Sequence, residues 1–171
     1  MLTRQSLLLW WGLTVTVAYL ITQYIGNTME KGHAAVLWTW GVAMAIPVLL
    51  TVLLGRRANA LIWVWAIITV LATLQNVWVH LTQAKTLMPL SYHTLWFAFG
   101  AAGFGYTAAV VDGAPRKRLY AVAAALHVVG AVITLIDKDL MKGYEYVVLA
   151  LIQGVPMLLD LPLRRRAGHA D

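Results

Sequence analysis

The fold class follows from one segment of the chain, which runs from Ala60 to Gln83 and reads ALIWVWAIITVLATLQNVWVHLTQ. It consists mostly of Leu, Ile, Val, Ala and Trp, and it is long enough to cross a bilayer as a helix. A polar stripe runs through it at spacings that share one helical face, formed by Thr69, Thr73, Asn76, His80 and Gln83. Because unpaired polar groups are costly in lipid, this stripe should face other protein or a wet cavity. The segment therefore predicts a transmembrane helix that borders a polar interior.

The composition favours the same class. Of the 171 residues, 61% are hydrophobic and only 12% are charged, whereas soluble domains carry about twice that charge. The chain has no Cys, which excludes disulfides and cysteine-based metal sites. The net charge of +6 could indicate nucleic-acid binding, but its distribution favours a topological signal instead. No nucleic-acid partner is expected.

Six apolar segments come close to the roughly 20 residues that a bilayer-spanning helix needs. They cover approximately residues 6–25, 34–54, 60–82, 91–111, 119–136 and 144–163. The first segment lacks a following cleavage site and is interpreted as a retained span rather than a signal peptide. The connections are short, so consecutive segments should be antiparallel neighbours. The prediction is an all-α integral membrane protein, with residues 1–171 forming one compact bundle of six transmembrane helices in three antiparallel hairpins.

The basic residues predict the orientation of this bundle. One side of the six-span arrangement carries Arg4, Arg56, Arg57, Arg116, Lys117, Arg118, Arg164, Arg165 and Arg166. The opposite side is neutral overall. By the positive-inside rule the N and C termini are then both cytoplasmic, and the membrane is the cytoplasmic membrane of a prokaryote. Asp160, close to the cytoplasmic end, is expected to pair with Arg164, four residues further on.

The polar groups of the spans concentrate in their outer halves, which predicts an outward-opening polar and aromatic cavity. Helices one, three, four, five and six are expected to line it. The candidate ligand-binding residues are Gln23, Asn76, His80, His93, Trp96, His127, Tyr146 and Gln153. Asn76 and Gln153 would supply donors and acceptors, and His127, near the bilayer midplane, a proton-sensitive contact. With so few charges, the expected ligand is a small neutral or weakly charged molecule that is bound and translocated.

Simpler structural interpretations stand beside these. His127 could make a single interhelical hydrogen bond that holds the bundle together. Many Trp and Tyr residues lie near the span ends, as membrane aromatic belts require. The small residues Gly100, Gly103 and Gly105 of the fourth span could form a packing seam within the bundle, or a face for a second copy or a partner membrane subunit.

Two further functions remain open. His80 and His93, with His33 as a possible third ligand, could hold haem or a metal in a membrane redox or lipid-modifying protein. No cofactor is predicted and no metal ligand is firm, because no further His or carboxylate stands at a useful spacing. The chain could also be an accessory subunit of a larger membrane complex. No catalytic residue can be assigned, since paired catalytic carboxylates and a Ser-His-Asp arrangement are both missing, and enzyme function is the less favoured reading.

Overall fold

The structure is a computed structural model that describes residues 4–30, 32–54, 59–137 and 139–167, with side chains described from Trp10 to Leu163 except that of His33. Within these residues the fold is entirely helical. Its helices are α1 (Arg4–Thr28), α2 (His33–Leu54), α3 (Ala60–Thr82), α4 (His93–Val110), α5 (Ala114–Ile136) and α6 (Glu145–Ala167). A short 3₁₀ turn, Met88–Leu90, lies between α3 and α4.

Each of the six predicted segments coincides with a helix. The bounds of α3 agree with the prediction, and its first turn is capped by the Asn59 side chain, whose Oδ1 accepts a hydrogen bond from Ile62 N at 3.1 Å. In contrast, α5 begins at Ala114 rather than residue 119. Pro115 stands in its first turn, where proline favours a helix start, so the basic residues 116–118 are helical rather than part of a loop.

The helices pack as a closed ring. Each contacts the next along the chain, and α6 contacts α1. The most extensive packing is between α4 and α5 and between α1 and α6, and therefore between the predicted hairpins rather than within them. Two ends of the ring are distinguished below: the cavity end, where α1 and α3 end and α2, α4 and α6 begin, and the far end opposite to it.

Four helical segments are long and apolar enough to cross a membrane: Ala34–Leu54, Ala60–Thr82, Ala114–Ile136 and Glu145–Leu163. Large apolar side chains cover the outside of the bundle. Leu53 is 78% exposed, Leu81 is 74% exposed and Ile136 is 81% exposed. Such a surface suits lipid rather than water, and the helical bundle is consistent with an integral membrane protein.

The polar stripe of α3 faces inward, as predicted. Thr69 and Asn76 are buried, while Leu71 and Leu74, on the opposite face of the same helix, are exposed. Only the last member of the stripe, Gln83, lies exposed at the end of the helix, where it forms the C-cap with a left-handed backbone. The interior of the bundle thus contains polar groups along the second half of α3.

At the far end an ion pair joins α5 and α6. Arg116 Nε lies 2.6 Å from Asp160 Oδ1, and Arg116 Nη2 donates to Asp160 Oδ2 at 3.2 Å. The Asp160 side chain is almost fully buried. The sequence suggested Arg164 as its partner, but the side chain of Arg164 lies outside the described residues. Arg116 reaches Asp160 because α5 begins early enough to place it in the first helical turn.

Glycines let the helices approach closely at the α4–α5 contact. A Cβ on Gly100 would overlap the ring of His127, and a Cβ on Gly130 would overlap the ring of Phe97. Gly103 is packed against Trp65 of α3, where a Cβ would come within 2.6 Å of the indole. Gly105, by contrast, has open space beside it. Gly100 and Gly103 therefore form a packing seam inside the bundle.

Candidate functional site

A cavity of about 320 Å³ opens at the cavity end, between α1, α2, α3, α4 and α6. Its volume is at the lower end of the range for small-molecule sites, roughly 300–1,000 Å³. Apolar and aromatic side chains dominate the lining, with uncharged polar groups between them. The lining residues are Thr22, Gly26, Val36, Leu37, Trp40, Gly41, Thr73, Asn76, Val77, His80, Tyr92, His93, Trp96 and Tyr146.

The structure brings five of the eight predicted site residues together around this cavity, namely Asn76, His80, His93, Trp96 and Tyr146. Asn76 and His80 come from the polar stripe of α3, and His93 and Trp96 come from the first turn of α4. Since α3 ends and α4 begins at the same end of the bundle, their terminal turns meet across the short connection.

Two predicted residues lie next to the cavity without lining it. The Oε1 atom of Gln23 accepts a hydrogen bond from the backbone N–H of Tyr146 at 3.1 Å, so Gln23 holds the start of α6. The Oε1 atom of Gln153 accepts a hydrogen bond from the hydroxyl of Tyr19 at 3.0 Å. Both glutamines therefore position residues of α1 and α6, and neither is among the cavity residues.

His127 also lies away from the cavity, and α5 contributes none of the lining residues that the structure describes. Its ring is fully buried in the α4–α5 contact, against Gly100 and between Phe97 and Phe104. Nδ1 lies 2.8 Å from the carbonyl oxygen of Ala123 on the same helix, and Nε2 has no hydrogen-bond partner. The close approach allowed by Gly100 directs the imidazole toward α4 rather than the cavity.

An aromatic cluster forms one wall of the cavity. The rings of Trp40 and Trp96 stack with centroids 4.9 Å apart and an interplanar angle of 20°. Tyr19 meets Trp40 edge-on at 4.8 Å, and Tyr146 stacks on Tyr19 at 6.1 Å. These geometries are the favourable ones for aromatic pairs, so the cluster is a well-defined surface.

Asn76 binds the backbone at the start of α4. Its Oδ1 accepts a hydrogen bond from the backbone N–H of Tyr92 at 2.8 Å. Tyr92 has φ 54° and ψ −123°, a backbone conformation that favours glycine. A tyrosine in this conformation stores strain, and such strain concentrates at functional sites. The bond from Asn76 helps to keep Tyr92 in this conformation beside the cavity.

The two histidines of the cavity are the remaining polar feature. His80 and His93 both line it, as the sequence predicted they could across the loop that contains Pro89. The ring of His93 lies edge-on to Tyr146 with centroids 6.1 Å apart. Within the described part of the chain no group of three or more His, Asp or Glu residues is placed to hold a metal ion. The side chain of His33 lies outside the described residues.

Sequence reasoning missed the contribution of α2. Val36, Leu37, Trp40 and Gly41 line the cavity, but they carry no polar stripe that could have marked the inner face of this helix. Trp38 is 75% exposed and Trp40 is 7% exposed, so these two tryptophans point to different faces of α2. Trp40 is held on the inner face by its indole, whose Nε1 donates to Thr22 Oγ1 at 2.9 Å, a contact that no sequence pattern indicated.

Comparison with known proteins finds no matching family model, no matching curated protein and no matching solved structure.

Proposed function

We propose that the protein crosses the cytoplasmic membrane of a prokaryote six times in three hairpins, with both termini cytoplasmic. The four segments that are long and apolar enough to cross a membrane belong to α2, α3, α5 and α6, so the membrane crossing of α1 and α4 needs a separate reason. With 18 residues, α4 spans about 27 Å at 1.5 Å per residue, close to the hydrocarbon thickness of about 30 Å. Helix α4 packs along α5, and α1 packs along α6. Because α5 and α6 are each long and apolar enough to cross a membrane, α1 and α4 would cross it beside them.

The far end would then face the cytoplasm. The basic residues 116–118 begin α5 at this end, and Arg164, Arg165 and Arg166 belong to the last turns of α6, which ends there. Under the positive-inside rule this clustering favours a cytoplasmic far end and an external cavity end.

The function that the site supports best is binding and translocation of a small neutral or weakly charged molecule. One observation carries this proposal: an aromatic and polar cavity of about 320 Å³ at the end of a membrane bundle, lined by Asn76, His80 and His93. Apolar walls with a few convergent polar groups are typical of small-molecule sites. The Arg116–Asp160 ion pair joins α5 to α6 at the opposite end of the bundle.

The proposal is tested by uptake into proteoliposomes with two matched glycine variants. A Cβ at Gly41, on the cavity wall, and a Cβ at Gly105, away from the cavity, would each meet no atom within 4 Å. Gly41→Leu should therefore fill the cavity, and Gly105→Leu should place the same side chain elsewhere. The solutes are nicotinamide, cyclohexanecarboxamide and 1-methylnicotinamide in labelled form.

We expect at least one solute to enter wild-type proteoliposomes faster than protein-free vesicles. Gly41→Leu should remove this protein-dependent uptake, and Gly105→Leu should retain it. Uptake no faster than in protein-free vesicles for all three solutes contradicts translocation, and equal uptake by both variants contradicts passage through this cavity.

Haem or metal binding is a second candidate, because His80 and His93 line one cavity and imidazole nitrogens ligate both. The test is the visible absorption spectrum and metal content of the protein purified from its membrane. A haem band or bound metal that His80→Ala and His93→Ala each abolish would support this candidate. A colourless, metal-free preparation would remove it.

A further inference from the structure

Hydrogen bonds within the protein hold the aromatic wall of the cavity in position. Trp40 Nε1 donates to Thr22 Oγ1 at 2.9 Å, and this hydroxyl donates in turn to the Ala18 carbonyl oxygen at 2.8 Å. The hydroxyl of Tyr19, the ring packed edge-on against Trp40, is bound to Gln153. Because these polar atoms are already used within the protein, the wall offers mainly carbon surface to a ligand.

That surface is suited to a flat ring. Trp40 and Trp96 are nearly parallel, and both are buried to more than nine-tenths while lining the cavity. A planar ring can extend such a pair by stacking or by an edge-on contact, and each aromatic contact adds to the free energy gained from apolar burial. A puckered, saturated ring of the same size gains only the apolar burial.

The polar lining indicates what the ring should carry. Asn76 uses its Oδ1 to accept from Tyr92 N–H, which leaves the two N–H groups of its carboxamide as the donors that it can offer to the cavity. A ligand carbonyl or ring nitrogen would accept from them. Among the lining residues that the structure describes, none is Lys, Arg, Asp or Glu, so the lining provides no permanently charged side chain, and no anion for a cationic ligand.

We propose that the ligand class of this cavity is the planar, uncharged heteroaromatic compounds that carry a carbonyl or ring-nitrogen acceptor. The ring contacts the Trp40–Trp96 wall, and the acceptor binds the carboxamide N–H groups of Asn76. This inference rests on the proposed function, since it names the substrate class of the same site.

The test is equilibrium dialysis of the detergent-purified protein against three probes. Nicotinamide is planar and uncharged, cyclohexanecarboxamide keeps the amide on a saturated ring, and 1-methylnicotinamide keeps the planar ring but adds a fixed positive charge. We expect nicotinamide to bind about tenfold more tightly than the saturated amide, because only nicotinamide gains aromatic contacts. The cation should also bind more weakly than nicotinamide, because the lining provides no anion.

Tryptophan variants test whether the Trp40–Trp96 wall causes the preference for nicotinamide. Trp96→Leu should weaken nicotinamide binding toward that of cyclohexanecarboxamide. Trp38→Leu replaces a tryptophan that is 75% exposed and away from the cavity, and should leave the selectivity unchanged. Trp96→Phe keeps a smaller ring, should retain part of the preference, and serves if Trp96→Leu does not fold.

The outcomes separate the two proposals. Equal affinity for nicotinamide and cyclohexanecarboxamide, or tighter binding of the cation, overturns the ligand class and leaves small-molecule binding intact. A preference for nicotinamide that stays as large as in the wild type in Trp96→Leu, or in Trp96→Phe if Trp96→Leu does not fold, assigns the selectivity to another site and also overturns the inference. No binding of any probe overturns the ligand class together with the proposed function.

Discussion

The carboxamide oxygen of Asn76 lies 2.8 Å from the backbone nitrogen of Tyr92, and this hydrogen bond joins the last turns of α3 to the residue that caps α4. It occurs where the backbone of Tyr92 is strained and where both residues line the cavity. This hydrogen bond therefore links the polar stripe of α3 to the backbone of Tyr92 in the cavity wall.

The backbone conformation of Tyr92 gives the first prediction. Tyr92→Gly and Tyr92→Ala remove the same ring, but only glycine adopts φ 54° without strain. The glycine variant should exceed the alanine variant by about 1 kcal/mol in free energy of unfolding, measured by denaturant titration in detergent micelles. Equal stabilities would show that the position carries no backbone strain.

The second prediction concerns the buried ion pair at the far end. Asp160→Ala should lower the free energy of unfolding by about 3–5 kcal/mol, because it leaves Arg116 without its buried carboxylate. The exposed pair of Lys142 and Asp139, 3.8 Å apart, provides the control. Asp139→Ala should change stability by less than about 1 kcal/mol. Similar losses in the two variants would contradict the importance of burial at Asp160.

The glycine seam gives a third prediction with a control on the same helix. Gly100→Ala should destabilise the protein by about 1–3 kcal/mol, since its Cβ meets the His127 ring in the α4–α5 contact. Gly105→Ala has open space and should be neutral or slightly stabilising, because alanine is the better helix former. Thermal unfolding in detergent measures both. A neutral Gly100→Ala would contradict the close helix approach.

The proposed topology gives a fourth prediction, which the lack of native cysteines makes simple to test. Thr86→Cys lies between α3 and α4 at the cavity end, and Lys117→Cys lies in the first turn of α5 at the far end. Both positions are exposed. A membrane-impermeant maleimide applied to intact cells should label the first and not the second. The reverse pattern would invert the orientation, and labelling of both would contradict a transmembrane arrangement.

The inner face of a helix could be predicted from the sequence where polar residues interrupt an apolar segment. The stripe of α3 predicted the inner face of that helix because Thr69 and Asn76 would be costly in lipid. The same contrast was missing from α2, where a cavity wall made of Val36, Leu37, Trp40 and Gly41 resembles a lipid-facing surface.

Helix rotation was harder to predict than helix position. His127 lies near the middle of α5, but the direction of its ring depends on how closely α4 and α5 approach, and Gly100 and Gly130 determine that distance. The contact between Arg116 and Asp160 depended in a similar way on where α5 begins. The helix starts at Ala114 rather than residue 119, which brings Arg116 to the carboxylate, while the predicted contact of Arg164 stays a prediction.

The most direct test of a small molecule in this cavity is protection of its histidines from diethyl pyrocarbonate, read residue by residue by mass spectrometry. Saturating nicotinamide should slow modification of His80 and His93, which line the cavity and are partly exposed. His127, fully buried elsewhere, should remain unmodified with or without the probe. If nicotinamide binds and His80 and His93 are modified as fast as in its absence, the bound molecule lies elsewhere and the assignment of this cavity is contradicted.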